Sequence, residues 1–486
     1  MPSESSALSG PDVGRRVVRG GAVRVIGFAA SNLFAAAGAV VALRYLGVEE
    51  FGRYGTVMAL VAIVQGITEA GLSVTGTREV SLAGDPEDRR GLLAHVVGLR
   101  IVLTGAGVLG AVGFGLLVGY DRTLVLGTLI AGAGVFLISV QAAMLIPLSV
   151  DLRNGTLTLN ELLRQGLLVI GFVVLAIVGA QLLAFFALQI AAGVVLLAIT
   201  PWLIERRDLV RPRWSMAQLK RLAAIGLPVA LASVLMAVYF RVLVVIMSLL
   251  SGDDRQIGLF VTSTRIFELA AALPLILSTI VLPVMTVAAR DNPVRFRYVL
   301  QETTQLFALA GVLVAIVVAL AAEPILRILG GEEYVAAAPL LRIQSIALLT
   351  LFVSAAWSSA LIGMHRQGSV AAATGVGLVV AIVGGLALVP SFEAQGAAWA
   401  AAIADLFVVS VAFVVLRRAG PGRELRLAFV PRLVLAAAAS LAIVLVPGVP
   451  PLVDAGVAAA VFAGAAFALK IVPAGMSELL PARGAV

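Results

Sequence analysis

Residues 182–204 read LLAFFALQIAAGVVLLAITPWLI, and residues 205–214 directly after them read ERRDLVRPRW. The first stretch carries no charge and is long enough to cross a hydrocarbon core as a helix, which takes about 17 to 25 apolar residues. Runs of the same kind recur at 22–43, 54–74, 92–117, 124–148, 163–179, 226–250, 258–287, 303–322, 341–362, 370–389, 397–416, 429–446 and 455–471. Overall the chain is 61% hydrophobic and 13% charged, whereas a soluble protein is roughly 45–50% apolar and about 25% charged. A soluble fold could not hide so much apolar surface, so the expected fold class is an all-α integral membrane protein of about 14 transmembrane helices. Pro147, Pro228, Pro274 and Pro283 fall inside spans, where membrane helices tolerate proline and where kinks or hinges are expected.

The arginines of 205–214 give the direction of insertion. With the N-terminus on the cytoplasmic side, roughly 25 of the 35 Lys and Arg residues lie inside and about six outside. The connection from 205 to 225 carries Arg206, Arg207, Arg211, Arg213, Lys220 and Arg221, while 390–395 and 447–454 carry no basic residue. Both termini are thus expected in the cytoplasm of a multi-pass protein of a bacterial inner membrane; scarce Lys beside abundant Arg, Ala and Gly fits a GC-rich bacterial source. Arg15, Arg16 and Arg19 precede an apolar run too long for a signal-peptide core. Residues 1–14, rich in Ser, Pro and Gly, are expected as a disordered tail. The net charge of +8 then reflects topology and not a nucleic-acid partner. With no cysteine, disulfides and thiolate sites are excluded, and His95 and His365 alone make no metal site.

The basic connection also divides the chain, with six spans before it and eight after. The turn after the first span reads LGVEEFGRY (46–54), and about 206 residues later LSGDDRQIGLF (250–260) also joins two apolar helices through an acidic turn ending in Gly-x-aromatic. Two superposable six-helix halves are common among secondary transporters. The expected organisation is a tail (1–14), an N-lobe (15–204), a basic cytoplasmic loop (205–225), a C-lobe (226–416) and two appended helices with a C-terminal tail (417–486).

Arg44-x-Leu46-Gly47, Glu50-Phe51-Gly52-x-Tyr54, Ala70-Gly71-Leu72 and Arg78 resemble the opening of polysaccharide flippases of the multidrug/oligosaccharidyl-lipid/polysaccharide (MOP) exporter superfamily. Gly226-Leu227-Pro228, Gly258-x-Phe260, Glu323-Pro324-Ile325-Leu326, Gly330-Gly331-Glu332-Glu333-Tyr334 and Gln395-Gly396-Ala397-Ala398 follow in that family's order, over roughly residues 15 to 420. The resemblance implies two six-helix lobes facing each other across a central cavity. It also implies transfer of undecaprenyl-diphosphate-linked oligosaccharide repeat units from the cytoplasmic to the outer leaflet. Its expected partners are the lipid-linked oligosaccharide and membrane lipids, with a polysaccharide polymerase or glycosyltransferases possible beside them, and no cofactor. One departure is that relatives often carry an acidic residue after Arg241 where this chain has Leu243 or Val244, which weakens the case for ion coupling there.

Such a substrate sets a physical problem: its diphosphate and sugars cannot cross hydrocarbon, whereas its polyprenyl tail stays there. Arginine suits a polar groove for the headgroup, because its planar fork binds phosphate oxygens in pairs and stays charged. A charge at a span centre costs at least about 2.5 to 3.5 kcal/mol, so each calls for an explanation. The candidates for the central cavity are Arg241, Arg265, Glu268, Glu69, Asp405 and Arg44. At 1.5 Å per residue Arg241 lies about 22 Å from the inside end of its span and Arg265 about 10 Å from the outside end of the next. Arg265 and Glu268, at i and i+3, can also simply neutralise each other; Arg241 can instead pack against Glu69 or Glu268. Glu69 and Asp405 are open between interhelical hydrogen bonding and cavity lining. Arg44 and Arg53 flank an outer turn, where they can receive a phosphate or anchor at the interface. Arg100 lies about 13 Å into its span by the same rise, with no evident partner. The basic loop is expected on anionic headgroups, with recruitment of substrate or of a cytoplasmic partner as the other reading.

No Gly-x-x-x-x-Gly-Lys-Ser/Thr loop and no His-Glu-x-x-His helix occurs, so the chain is not expected to be an enzyme. A glycan polymerase or ligase would need a large outer loop, and the longest outer connection, near 323–340, is under about twenty residues. A small-molecule exporter and a flippase for the peptidoglycan precursor lipid II remain the alternatives.

Overall fold

The computed structural model describes residues 11–205, 208–442 and 450–471, which contain helices and no strand. In chain order the helices are α1 (Pro11–Leu82), α2 (Pro86–Val118), α3 (Arg122–Met144), α4 (Ile146–Val150), α5 (Asn154–Ile177), α6 (Leu182–Leu203) and α7 (Met216–Leu250). They continue as α8 (Asp254–Asp291), α9 (Pro293–Leu320), α10 (Ala322–Gly330), α11 (Ala338–Gly363), α12 (Gln367–Arg418), α13 (Val430–Leu441) and α14 (Pro451–Ala468). Two are double-length. α1 has 72 residues and α12 has 52, about 108 Å and 78 Å of helix if straight. Each is broken once, α1 at Gly47 (φ 73°, ψ 174°) and α12 at Glu393 (φ 47°, ψ −126°). Counting the arms separately and omitting the short α4 and α10, the expected total of about 14 membrane helices fits.

Side-chain caps mark three of the helix starts. Asp121 Oδ1 accepts from Leu124 N at 2.8 Å at the start of α3, and Asp253 Oδ1 does the same for Arg255 N at 2.8 Å before α8. Asn292 caps α9 through Val294 N at 2.9 Å, with Pro293 in the first turn, where its missing N–H costs nothing. Pro274 and Pro283 lie inside α8 without ending it, whereas Pro147 sits where α3 has given way to α4. The expected basic loop is shorter than 205–225, because α7 starts at Met216. Residues 216–222 contain no Gly or Pro and are mostly good helix formers, so the helix extends through them. Most of the expected disordered tail, residues 1–10, lies outside the described residues.

The chain forms two compact units, Met1–Leu46 with Thr56–Ala237 and Gly47–Gly55 with Val238–Val486. In the first, α3 and α6 pack through small residues. A Cβ on Gly134 would collide with the Gln189–Ile190 backbone, and one on Gly127 with the Phe186 ring. Close packing of this kind drives association in lipid, which offers no hydrophobic gain between helices. Gly134→Val is expected to cost about 1–3 kcal/mol by overpacking, seen as a lower melting temperature of the purified protein in detergent. The helix ends of this unit sort into two sets. Tyr45 Oη donates to Ala180 O at 3.0 Å, tying the end of the first α1 arm to the α5–α6 turn. Arg89 pairs with Asp151 at 3.1 Å and approaches Asp208 at 3.9 Å, tying the start of α2 to the α4–α5 and α6–α7 connections.

In the second unit Phe296, Phe307 and Phe352 are fully buried with Trp357, whose Nε1 donates to Thr304 Oγ1 at 3.1 Å. The appended α13 and α14 cover α9: Phe429, Leu433 and Phe462 pack with Leu309 and Val312, and Ser440 Oγ donates to Ala458 O at 2.6 Å. The two similar turns noted in the sequence meet in this unit. A Cβ on Gly52 would strike the Asp254 carbonyl, one on Gly258 would strike the Val48 carbonyl, and Arg53 Nε donates to Asp254 Oδ2 at 2.7 Å. Only glycine at both positions lets these backbones approach so closely.

Candidate functional site

Within the second unit, α7 brings Arg241 to α8. Its Nη1 lies 2.7 Å from Glu268 Oε1, and Arg265 Nη1 lies 2.9 Å from Glu268 Oε2. One carboxylate thus holds two guanidiniums, each on its own oxygen, and the cluster carries one net positive charge. The residues are unequally covered: side-chain exposure is 28% for Arg241, 20% for Glu268 and 45% for Arg265. Arg265 therefore presents nearly half of its side chain from an α8 segment whose neighbours Ile266 and Phe267 are buried. An orienting carboxylate beneath, an open guanidinium above and a surplus positive charge together make a receptor for an anion.

Next to it on α7, Tyr239 donates a hydrogen bond to Asp405 of α12. Both line a cavity of about 50 Å³ with Thr264 and Gln344. Gln344 Nε2 donates to Thr264 Oγ1 at 3.0 Å, and Gln344 Oε1 is buried with no hydrogen-bond partner among the described residues. A water needs about 10–15 Å³ by this measure and a few polar partners, so the cavity is suited to a short water chain.

The first unit holds a separate polar group. Gln65 Nε2 donates to Glu69 Oε1 at 3.2 Å, and Arg164 Nη2 lies 2.6 Å from Glu161 Oε1. Arg100, at 0% exposure, donates to Thr68 O at 3.0 Å and Ser73 Oγ at 2.6 Å, which supplies the partner that the sequence left open. Its Nε has no hydrogen bond. Ser73→Ala would leave a second nitrogen unserved and is expected to cost about 1–3 kcal/mol, measured as a loss of thermal stability with the fold retained.

Of the sequence candidates, Arg241, Arg265 and Glu268 come together, Asp405 joins Tyr239, and Glu69 belongs to the first unit. Arg44 is exposed on α1, and Arg53 is engaged by Asp254 and, at 3.7 Å, Glu50. Arg211 and Arg213 lie on the α6–α7 connection. Arg206 and Arg207 fall outside the described residues, as do the side chains of Lys220 and Arg221 on α7. Sequence reasoning missed Arg164 and Glu161. The apolar run there begins at 163, but α5 starts at Asn154, which puts Arg164 about 15 Å into the helix. The i, i+3 spacing of Glu161 and Arg164 was the available signal. Among the described residues no group of three His, Asp or Glu is placed to hold a metal ion.

A family model described as "Polysaccharide biosynthesis protein" matches residues 40–339. No curated protein matches the chain by sequence. Among solved structures, the chain is similar to the lipid II flippase MurJ in an inward closed conformation, with a TM-score of 0.79 at 14% identity over 92% of this chain and 98% of that one. It is also similar to an inward-facing multidrug resistance MATE family transporter of the MOP superfamily, with a TM-score of 0.63 at 15% identity over 81% and 96%. A MOP superfamily transporter from Pyrococcus furiosus gives 0.55 at 18% identity over 84% and 94%. At these identities the likenesses establish the fold.

Proposed function

The chain belongs to the polysaccharide biosynthesis protein family and its fold is similar to that of solved MOP superfamily transporters, and from that premise we propose that it is a membrane transporter that flips an undecaprenyl-diphosphate-linked oligosaccharide from the cytoplasmic to the outer leaflet of the inner membrane. The observation that carries this reading is the Arg241–Glu268–Arg265 cluster, a surplus positive charge maintained inside apolar helices. Holding that charge there is costly, and a diphosphate headgroup is a ligand whose binding repays the cost. The polyprenyl tail stays in lipid while the headgroup moves past Arg265, with Asp405 as a further polar group of the same unit. Transfer proceeds by alternating access, the site opening first to the cytoplasm and then outward. The chain binds and moves its cargo without making or breaking a covalent bond.

In the source bacterium, deletion of the gene is expected to abolish a surface polysaccharide, and the wild-type copy to restore it. Normal surface glycans with altered drug susceptibility would sink the reading. The similarity to a lipid II flippase favours a second reading, since lipid II shares the polyprenyl diphosphate. On that reading depletion produces lysis with surface polysaccharide retained.

A further inference from the structure

The first unit carries a second, separate concentration of positive charge at the end where α2 begins. Arg90 of α2 and Arg211 and Arg213 of the α6–α7 connection line an open cavity of about 560 Å³, with Glu87 as its acidic residue. That is in the range of small-ligand pockets, and its ionisable lining sums to two net positive charges. All three arginines are exposed, and among the described residues none of them pairs with a carboxylate.

The connection that supplies two of them is fixed in place. Arg213 N donates to Ala94 O at 3.0 Å, and a Cβ on Gly98 would run into the Arg213 carbonyl, so the segment lies directly against α2. Asp208 is 4% exposed and is approached by Arg89. Val210 packs on the cluster containing Leu93 and Val97, and Leu209 packs against Leu145, Leu148 and Ile204. Arg89, one residue from Arg90, shows the contrast: its charge is taken up by Asp151 and Asp208, while among the described residues the three arginines around the cavity have no carboxylate bound to them and share only Glu87 in the lining. The first turn of α2 adds the positive end of its helix dipole on the same side.

We propose that this cavity is a binding site for a phosphate-bearing lipid headgroup, held by Arg90, Arg211 and Arg213. Guanidinium forks match phosphate oxygens in pairs, and the site lies near the start of α2 and on the connection after α6, at the ends of two helices long and apolar enough to cross a membrane. Two lipids share this chemistry, a bulk anionic phospholipid and a polyprenyl diphosphate. The proposal does not depend on which cargo the protein moves, because Arg241, Glu268 and Arg265 belong to the other unit.

The test is native mass spectrometry of the full-length protein in detergent, titrated separately with phosphatidylglycerol, undecaprenyl diphosphate and inorganic pyrophosphate. The R90Q/R211Q/R213Q variant is expected to bind at least one of the two lipids about 10-fold or more weakly than wild type. The lipid that responds identifies the source. The Glu87→Gln variant, which removes the cavity's acidic residue, is expected to bind that lipid more tightly, so the sign of its effect tests the site even if the triple variant folds poorly. Equal lipid binding by wild type and a folded triple variant would overturn the proposal, as would Glu87→Gln binding that is unchanged or weaker. Loss confined to pyrophosphate, with both lipids unaffected, would overturn it too.

Discussion

Arg265→Ala is expected to slow flipping about 10-fold to 100-fold, and R241A/R265A to reduce it by about 100-fold or more. A hydrogen bond to a charged group contributes about 1.5–3 kcal/mol, and each lost guanidinium fork removes at least one from the bound phosphate. The charge count makes the expectation sharper than a general loss of function. The intact cluster carries a net charge of one, and either single arginine deletion makes it neutral by leaving a closed Arg–Glu pair. Converting Glu268 to Gln in the R265A background frees Arg241 and restores the net charge. R265A/E268Q should therefore flip faster than R265A, although it differs from wild type at more positions. Rates equal to or below those of R265A would show that the arginines act through packing and not through charge. Glu268→Ala alone should destabilise the protein by about 2–3 kcal/mol, less than the about 3–5 kcal/mol of a fully buried pair because Arg265 is partly exposed.

The second large effect concerns the crossing of the 47–55 segment over the start of α8. Arg53 Nε and Asp254 Oδ2 lie 2.7 Å apart, and the backbones touch at Gly52 and Gly258. On the alternating-access proposal the 47–55 segment parts from α8, inside the second unit, once in each cycle. The chain has no native cysteine, so an R53C/D254C pair is the sole possible disulfide in that variant. Its oxidation is expected to stop transport nearly completely, and reduction to restore it. Transport that continues with the cross-link formed would mean that the crossing is a fixed structural joint. Gly258→Val at the same place meets main-chain atoms that no rotamer can avoid, and is expected to cost about 3 kcal/mol, the upper end for overpacking.

Much of the architecture was legible because lipid leaves the backbone few choices. Each apolar run has to be a helix, and the polar turns between runs must end it. The break at Gly47 was marked by the acidic turn in LGVEEFGRY, and the meeting of that turn with residues 250–260 gave physical meaning to a weak repeat. The break at Glu393 was located only as a span boundary near Pro390. Helix starts were less legible where polar residues continue a helix past its apolar part, which hid the depth of Arg164 and the helical start at Met216. Partners were least legible. Tyr239 and Asp405 lie 166 positions apart, and no local spacing relates them. The bridge from Arg241 to Glu268 stood as one of several options, because rotamers and helix rotation decide it and neither is written in the hydropathy.

The central claim is that the charge at Arg241, Glu268 and Arg265 carries a phosphorylated headgroup across the membrane. Its most direct test is transfer of a fluorescent undecaprenyl-diphosphate-linked oligosaccharide across liposomes containing the purified protein, scored by an impermeant enzyme that releases the label on the far side. The account predicts protein-dependent transfer that falls to the protein-free level in R241A/R265A and recovers in part from R265A to R265A/E268Q. Equal transfer by wild type and R241A/R265A would contradict it.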